Sequence, residues 1–290
     1  MRELKILLIV VALSLITYWG VEPYAHKQMH PSVEAPDYEY SDLPKIDNII
    51  GDATSGKVLV QSNCIACHSI QKDGIAKMLD DKTNASMYGV VPPDLSSAGL
   101  IYDDNFLAAY IKNPAKASNI EHKFKDGKIH PMPGYSWMSD QNIADMIAYL
   151  NSIAPMSLSN KEVFKEACQR CHGIKYADMF KGSMNSYTAN KYIKKYMGIV
   201  PPDLSQHIKS RGEKYLHEFI NNPQKHLNGT SMPRVGLTKD AQQQVIDYMT
   251  TVGDSKKEER ESIGVKVILY FIVFAIFAWL WKIKIWREVK

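Results

Sequence analysis

Apolar residues fall along this chain in two distinct ways. At each end they form a nearly continuous run, over residues 6–21 and 265–281, that leaves no face polar. Between the runs they recur three and four positions apart, the period of helices that bury one stripe. Ile143, Met146, Ile147 and Leu150 make such a stripe behind Ser139, a residue suited to cap a helix start, and Thr238 opens a segment of the same design that ends at Met249. Strand-like alternation is scarce, so the pattern predicts a mainly α protein.

The N-terminal run of 16 residues follows Arg2 and Lys5 and fits either a signal peptide or an uncleaved anchor. No Ala-x-Ala cleavage site follows it, and Tyr18 and Trp19 suit an interfacial aromatic belt, which favours an anchor over residues 1–21. The C-terminal run is apolar except for Lys266, which can snorkel, and with Ile263 and Gly264 it reaches 19 residues, long enough to span a bilayer. A transmembrane helix is expected over residues 263–283, with a tail over 284–290. Basic residues flank both runs: Arg2 and Lys5 before the first, and Lys282, Lys284, Arg287 and Lys290 after the second. By the positive-inside rule both termini are then cytoplasmic and residues 22–262 lie across the membrane. The net charge of +4 comes from these ends, +1 over residues 1–21 and +4 over 263–290, which leaves −1 for the middle. Nothing in that balance suggests nucleic acid, and a basic soluble partner is plausible.

The pentapeptide Cys-x-x-Cys-His occurs twice, as Cys64-Ile65-Ala66-Cys67-His68 and Cys168-Gln169-Arg170-Cys171-His172, and uses every cysteine present. On a helical turn positions i, i+3 and i+4 share a face, so two thiols can bond one porphyrin edge while the imidazole reaches its iron. A zinc ribbon sets its knuckles about 15–20 residues apart, whereas 100 residues separate Cys67 from Cys168. A structural disulfide explains neither His68 nor His172. The motif therefore predicts two covalently bound haem c groups.

Around each motif the chain repeats itself. Residues 88–96 end in Val-Pro-Pro-Asp-Leu-Ser and residues 197–205 in the same six residues; helical segments stopped at Asn113-Pro114 and Asn222-Pro223 follow, then Met132-Pro133 and Met232-Pro233, then a closing helix. This is the plan of two tandem class I cytochrome c domains with N-terminal and C-terminal transmembrane helices. We place the first domain at residues 51–155 and the second at 156–254, with an extended, proline-bearing linker over 22–50 and a charged hinge or helix extension over 255–262.

His68 and His172 are the expected proximal iron ligands. Met132 and Met232, 65 and 61 residues past Cys67 and Cys171, are the expected partners, because a soft thioether opposite histidine favours ferrous iron. Met87, Met138, Met184 and Met197, and His122, His130, His207 and His226, remain as substitutes. The carbonyls near Pro93 and Pro202 are placed to accept from the proximal imidazoles, or the prolines only stiffen a turn. Arg211 and Arg234 either pair with haem propionates or stand exposed. His26, Met29 and His30 read as solvated linker ahead of a copper site.

The Val-Pro-Pro-Asp-Leu-Ser segments, the sequence Ser210-Arg211-Gly212-Glu213-Lys214-Tyr215, the C-terminal anchor and the N-terminal residues 16–26 give a resemblance to the cytochrome c1 family, and specifically to diheme c1-type subunits of bacterial cytochrome bc1 complexes. That resemblance implies an electron path from quinol through a Rieske iron-sulfur protein into this chain and on to a soluble cytochrome c or a terminal oxidase. It further implies a cytochrome b neighbour, a dimeric complex, and haem domains on the periplasmic side of a bacterial inner membrane. Electron transfer, and no substrate chemistry of its own, is expected of the chain. A diheme subunit of a cbb3-type oxidase is disfavoured by the C-terminal span, a diheme peroxidase by matching Met-Pro sites in both halves, and a free-standing diheme carrier by the hydrophobic tail.

Overall fold

The computed structural model of the chain describes residues 2–29, 33–46, 49–125, 127–180 and 190–288. Among these residues it is helical, with extended pairing limited to isolated bridges. The N-terminal apolar run forms α1 (Arg2–Ile16), widens into a π turn (Thr17–Val21) and runs on as α2 (Glu22–Met29). Residues 22–29, expected to begin an extended linker, are therefore helical. Pro23 explains how: it has no N–H for the carbonyl four residues back and its ring crowds that carbonyl, and the wider turn, in which the Glu22 N–H bonds the Thr17 carbonyl, relieves both problems.

The first haem-motif domain comprises α3 (Ala53–Asn63), α4 (Asp81–Tyr88), α5 (Ala98–Ile101), α6 (Asp104–Lys112), α7 (Pro114–Ala117) and α8 (Asp140–Ile153). The second repeats it with α9 (Asn160–Phe164), α10 (Asn190–Met197), α11 (His207–Arg211), α12 (Glu213–Asn221), α13 (Pro223–His226) and α14 (Lys239–Gly253). Asp52 caps α3 by accepting from the Thr54 and Ser55 N–H groups, and Ser159 with Glu162 forms a capping box on α9. α3 crosses α8 at Gly56, where a Cβ would overlap the Asp145 carbonyl oxygen; only glycine lets the backbones come so close. Val60, Ile143, Met146 and Leu150 fill the first core, and Val163, Phe164, Val245, Ile246 and Met249 the second.

The two domains are joined along a seam. Ile101 of the first sits in the core of the second, and Tyr102 packs against both cores. The Thr238 N–H donates 3.0 Å to the Ile101 carbonyl, and the Asp103 N–H 3.0 Å to that of Gly236. Phe106 lies where a Cβ on Gly236 would be, and Gly236 also has φ +78°, so this turn needs glycine twice over.

Residues 33–46 are likewise not an open linker. Tyr40 and Leu43 are buried with Phe106, Ala109 and Ala117 in a third small core. Asp37 and Asn221 exchange two hydrogen bonds of 3.1 and 3.0 Å, and Arg234 Nη1 lies 2.9 Å from both oxygens of Asp42. The apolar bodies of Tyr40 and Leu43 outweigh the prolines and charges that made this stretch read as extended, and it becomes a strap over the seam.

Of the two readings of residues 255–262, the helix extension holds, because α15 spans Lys257–Glu288. Lys257 pairs with Glu213 at 2.8 Å, and Arg260 donates to both oxygens of Asp254 at 2.6 and 2.8 Å, so the charges tie the helix base to the second domain. The helix also continues through most of the expected tail. The apolar parts of α1 and α15 are exposed along their length, and both the continuous helix through Glu3–Met29 and α15 are long and apolar enough to cross a bilayer. They meet where Lys282 donates 3.2 Å to Glu3.

Candidate haem sites

Both Cys-x-x-Cys-His motifs are single helical turns. The N–H groups of Cys67 and His68 bond the Cys64 carbonyl at 3.1 and 2.9 Å, and those of Cys171 and His172 bond Cys168 at the same two distances. The first turn caps α3; the second begins inside a π turn (Lys165–Gln169) that continues α9. All four cysteines are free thiols. Burial pushes the Cys64 and Cys168 thiols up to about 12. Among the described residues no three His, Cys, Asp or Glu side chains converge as a metal cage.

The imidazoles are oriented from behind. His68 Nδ1 donates 2.8 Å to the Pro93 carbonyl, and His172 Nδ1 donates 2.9 Å to the Pro202 carbonyl. A carbonyl only accepts, so Nδ1 carries a proton in both rings, and Nε2 is the nitrogen left to face an iron. Burial, the largest influence, takes His68 down to about 4, which keeps its ring neutral. The two Pro-Pro-Asp-Leu loops are themselves fixed. Asp94 accepts from the N–H of Gln71 and of Ser96, Asp203 from those of Lys175 and Ser205, and the Leu95 and Leu204 N–H groups bond Ser69 and Gly173 at 2.9 and 2.8 Å. Rigid turn and imidazole holder are thus one arrangement.

Met132 borders the same core as Cys64, and Met232 the same core as Cys168. The Met132 N–H donates 3.2 Å to His130 Nδ1, and the Met232 N–H 3.4 Å to Thr230 Oγ1, so each loop is held just before its methionine. The other candidates are placed differently. Met138 and Met197 are buried, Met87 is 59% exposed, and Met184 lies outside the described residues. His122 reaches the Thr230 carbonyl at 3.2 Å, His130 is turned onto the Met132 backbone, His226 approaches Glu218 at 3.3 Å, and His207 is half-buried near Arg211. Arg211 is exposed, its guanidinium 5.4 Å above the Tyr215 ring, whereas Arg234 is buried and engaged with Asp42. His26 and Met29 ride on exposed α2, and His30 lies outside the described residues.

Two residues near the motifs escaped the sequence reading. Arg170, inside the second motif, has its Nε buried without an acceptor, and Tyr102 lies beside it from the other domain. The signal was a charged residue between two cysteines that must face a buried porphyrin.

The family model for cytochrome c matches the chain twice, over residues 53–154 and 160–253. Cytochrome c2 of Rhodospirillum rubrum is 29% identical over 118 residues, which cover 36% of this chain and 98% of that protein. Cytochrome c2 of Pararhodospirillum photometricum is 27% identical over 113 residues, with 36% and 98% covered. Cytochrome c type-1 of Ascaris suum is 33% identical over 97 residues, with 31% and 83% covered. Among solved structures, a chain of a hyperthermophilic respiratory Complex III is 22% identical with 99% of both chains covered and a TM-score of 0.34. Cytochrome c domains hold haem c covalently, and free thiols paired as Cys64/Cys67 and Cys168/Cys171, each pair beside an imidazole held through Nδ1, fit two such groups. The chain belongs to the cytochrome c family and carries two of its electron-carrier domains in tandem between two apolar terminal helices.

Proposed function

We propose that this chain is the diheme c1-type subunit of a quinol:cytochrome c reductase, relaying electrons from a Rieske iron-sulfur protein to a soluble cytochrome c or a terminal oxidase. In this reading thioethers at Cys64, Cys67, Cys168 and Cys171 tether two haems. His68 and Met132 hold one iron and His172 and Met232 the other, with Pro93 and Pro202 orienting the imidazoles. A His/Met pair gives each haem the high potential that an acceptor of quinol-derived electrons requires.

The observation that carries the reading is the two-point anchor. α15 leaves the second domain as one continuous helix, α1 enters at the other end of the chain, and Glu3 meets Lys282 between them. Both termini then share one side of the membrane, and the haem domains stand on the periplasmic side of a bacterial inner membrane. A subunit anchored only at its N-terminal end, as in a cbb3-type oxidase, has no use for α15.

Detergent-extracted protein is expected to co-purify with a b-type haem protein and a Rieske centre, and quinol is expected to reduce both c haems in an antimycin-sensitive way. Co-purification with a copper-containing oxidase would overturn the assignment.

A further inference from the structure

The two methionine loops do not stand apart; each is held by the other domain as well as by its own. In the second loop the Thr230 carbonyl accepts from Gln224 of its own domain at 2.9 Å and from His122 Nε2 of the first domain at 3.2 Å, and the Arg234 N–H donates 2.8 Å to the first domain's Ser118 carbonyl. Met232 lies between those two cross-domain bonds. In the first loop Lys128 Nζ donates 2.7 Å to the Tyr196 carbonyl at the end of α10, and the His130 ring, which accepts from the Met132 N–H, approaches the Tyr196 hydroxyl at 3.5 Å. Phe124 closes this contact, its ring centroid 4.9 Å from that of His130 and 6.0 Å from that of Tyr196.

The bridging residues come in two short pieces, and each piece touches both loops. His122 and Phe124, two residues apart in the first domain, reach Thr230 of the second loop and His130 of the first. Tyr196 and Met197, adjacent at the end of α10, meet His130 of the first loop and, where the Met197 carbonyl accepts at 2.8 Å, the Ser231 hydroxyl of the second. The end of α4 packs its bare backbone on this piece: a Cβ on Gly89, which has φ +86°, would lie 2.2 Å from Tyr196 Cβ. Duplication alone does not produce the arrangement. Residues 130–133 read His-Pro-Met-Pro and residues 230–233 Thr-Ser-Met-Pro, so Pro131 stands where the second loop has the hydroxyl that ties it to its own α10. The first loop reaches the neighbouring domain's α10 instead, through the His130 ring.

We propose that His122 and Phe124 from one domain and the end of α10 from the other form a shared clasp that positions both methionine loops, so that each sulfur is held on its iron in part by the neighbouring domain. Holding a ligand loop in its bound conformation cuts the ordering cost of the iron–sulfur bond, so a braced sulfur resists replacement. His122 and Tyr196 are positioning residues, because each acts through the loop it braces. The inference rests on Met132 and Met232 as iron ligands and not on the complex in which the chain works.

The test is displacement of each methionine by imidazole in the oxidised, full-length chain in detergent, with haem content checked by mass. The iron–sulfur bond breaks and an iron–nitrogen bond forms with no change of oxidation state, and the methionine-to-iron charge-transfer band reports the loss. Met232→His leaves the first haem as the source of that band, Met132→His leaves the second, and each clasp variant is placed in both backgrounds. With Met232→His, Tyr196→Ala is expected to lower the imidazole concentration for half-displacement about tenfold, although Tyr196 belongs to the second domain. With Met132→His, His122→Ala is expected to lower it about threefold, since Gln224 still bonds the Thr230 carbonyl, and His122→Gln, which keeps a donor, should restore most of it. Unchanged half-displacement throughout would overturn the clasp, as would effects seen only on the methionine of the variant's own domain. If one variant loses a haem, the other decides alone. A band left whole by both Met132→His and Met232→His would instead overturn the ligand assignment, and the clasp with it.

Discussion

Truncating Tyr40 asks whether the strap over residues 33–46 is part of the folded haem unit or a loose tether. The Tyr40 side chain is 1% exposed, its ring centroid lies 5.4 Å from that of Phe106, and its hydroxyl donates 2.8 Å to the Leu237 carbonyl. Replacing a buried aromatic by alanine costs about 3–5 kcal/mol. Removing the hydroxyl alone, in Tyr40→Phe, costs about 1–3 kcal/mol because a buried carbonyl loses its donor. Leu43 is the strap's one other fully buried apolar anchor, so most of this loss falls on local opening of the strap. At about 1.4 kcal/mol per decade, Tyr40→Ala raises the open population roughly 100-fold or more and Tyr40→Phe roughly tenfold. Trypsin cutting after Lys45 reads that population directly when reclosing outpaces cleavage. An unchanged cleavage rate at Lys45 in Tyr40→Ala, with both haems in place, would refute the view that Tyr40 holds the strap.

The sixth-ligand assignment is tested by Met132→His and Met232→His. Each is expected to remove about half of the weak methionine-to-iron charge-transfer absorption and to lower one midpoint potential; no change in either spectrum or titration would exclude that methionine. Acid sensitivity follows from the two caps. Hydrogen bonds from Ser55 and the Thr54 and Ser55 N–H groups hold Asp52 below the usual carboxylate range, and the Ser159 hydroxyl and N–H hold Glu162 there. Because both folded pKa values lie below the unfolded ones, this stabilisation is present above the ordinary carboxylate pKa and is lost as pH falls through the folded values. Asp52→Asn and Glu162→Gln should therefore flatten the acid limb of a circular-dichroism titration, and an unaltered limb would count against the capping argument.

How much of this was legible in the sequence varied with the range of the interaction. The Cys-x-x-Cys-His turns, the closing helices behind Ser139 and Thr238, and the apolar terminal helices are local patterns, and each could be read from spacing and capping alone. The Pro93 and Pro202 carbonyls could be nominated because both repeats carry the same six residues at a similar distance from the motif. The strap could not, because Tyr40 is buried by Phe106 and Leu237, residues 66 and 197 positions away that no local pattern connects to it. Residues 255–262 could be read locally only as far as a choice between a charged hinge and a helix extension. Lys257 and Arg260 find Glu213 and Asp254, and the helix extension results.

Differences between the two repeats sort by what each position faces. Residues of the haem motifs and of the loops around them match: the cysteines, the imidazoles, the Pro-Pro-Asp-Leu segments and the Met-Pro pairs recur in both copies. Residues at the seam do not. Ile101 is fully buried in the second core while its counterpart Ser210 is exposed, Phe106 is buried under the strap while its counterpart Tyr215 is only half-covered, and Ala66 is answered by Arg170. Two copies of one fold joined head to tail present unlike surfaces to each other, so selection for a packed junction must act on different positions in each copy. The haem imposes the same demands twice, and those positions stay alike.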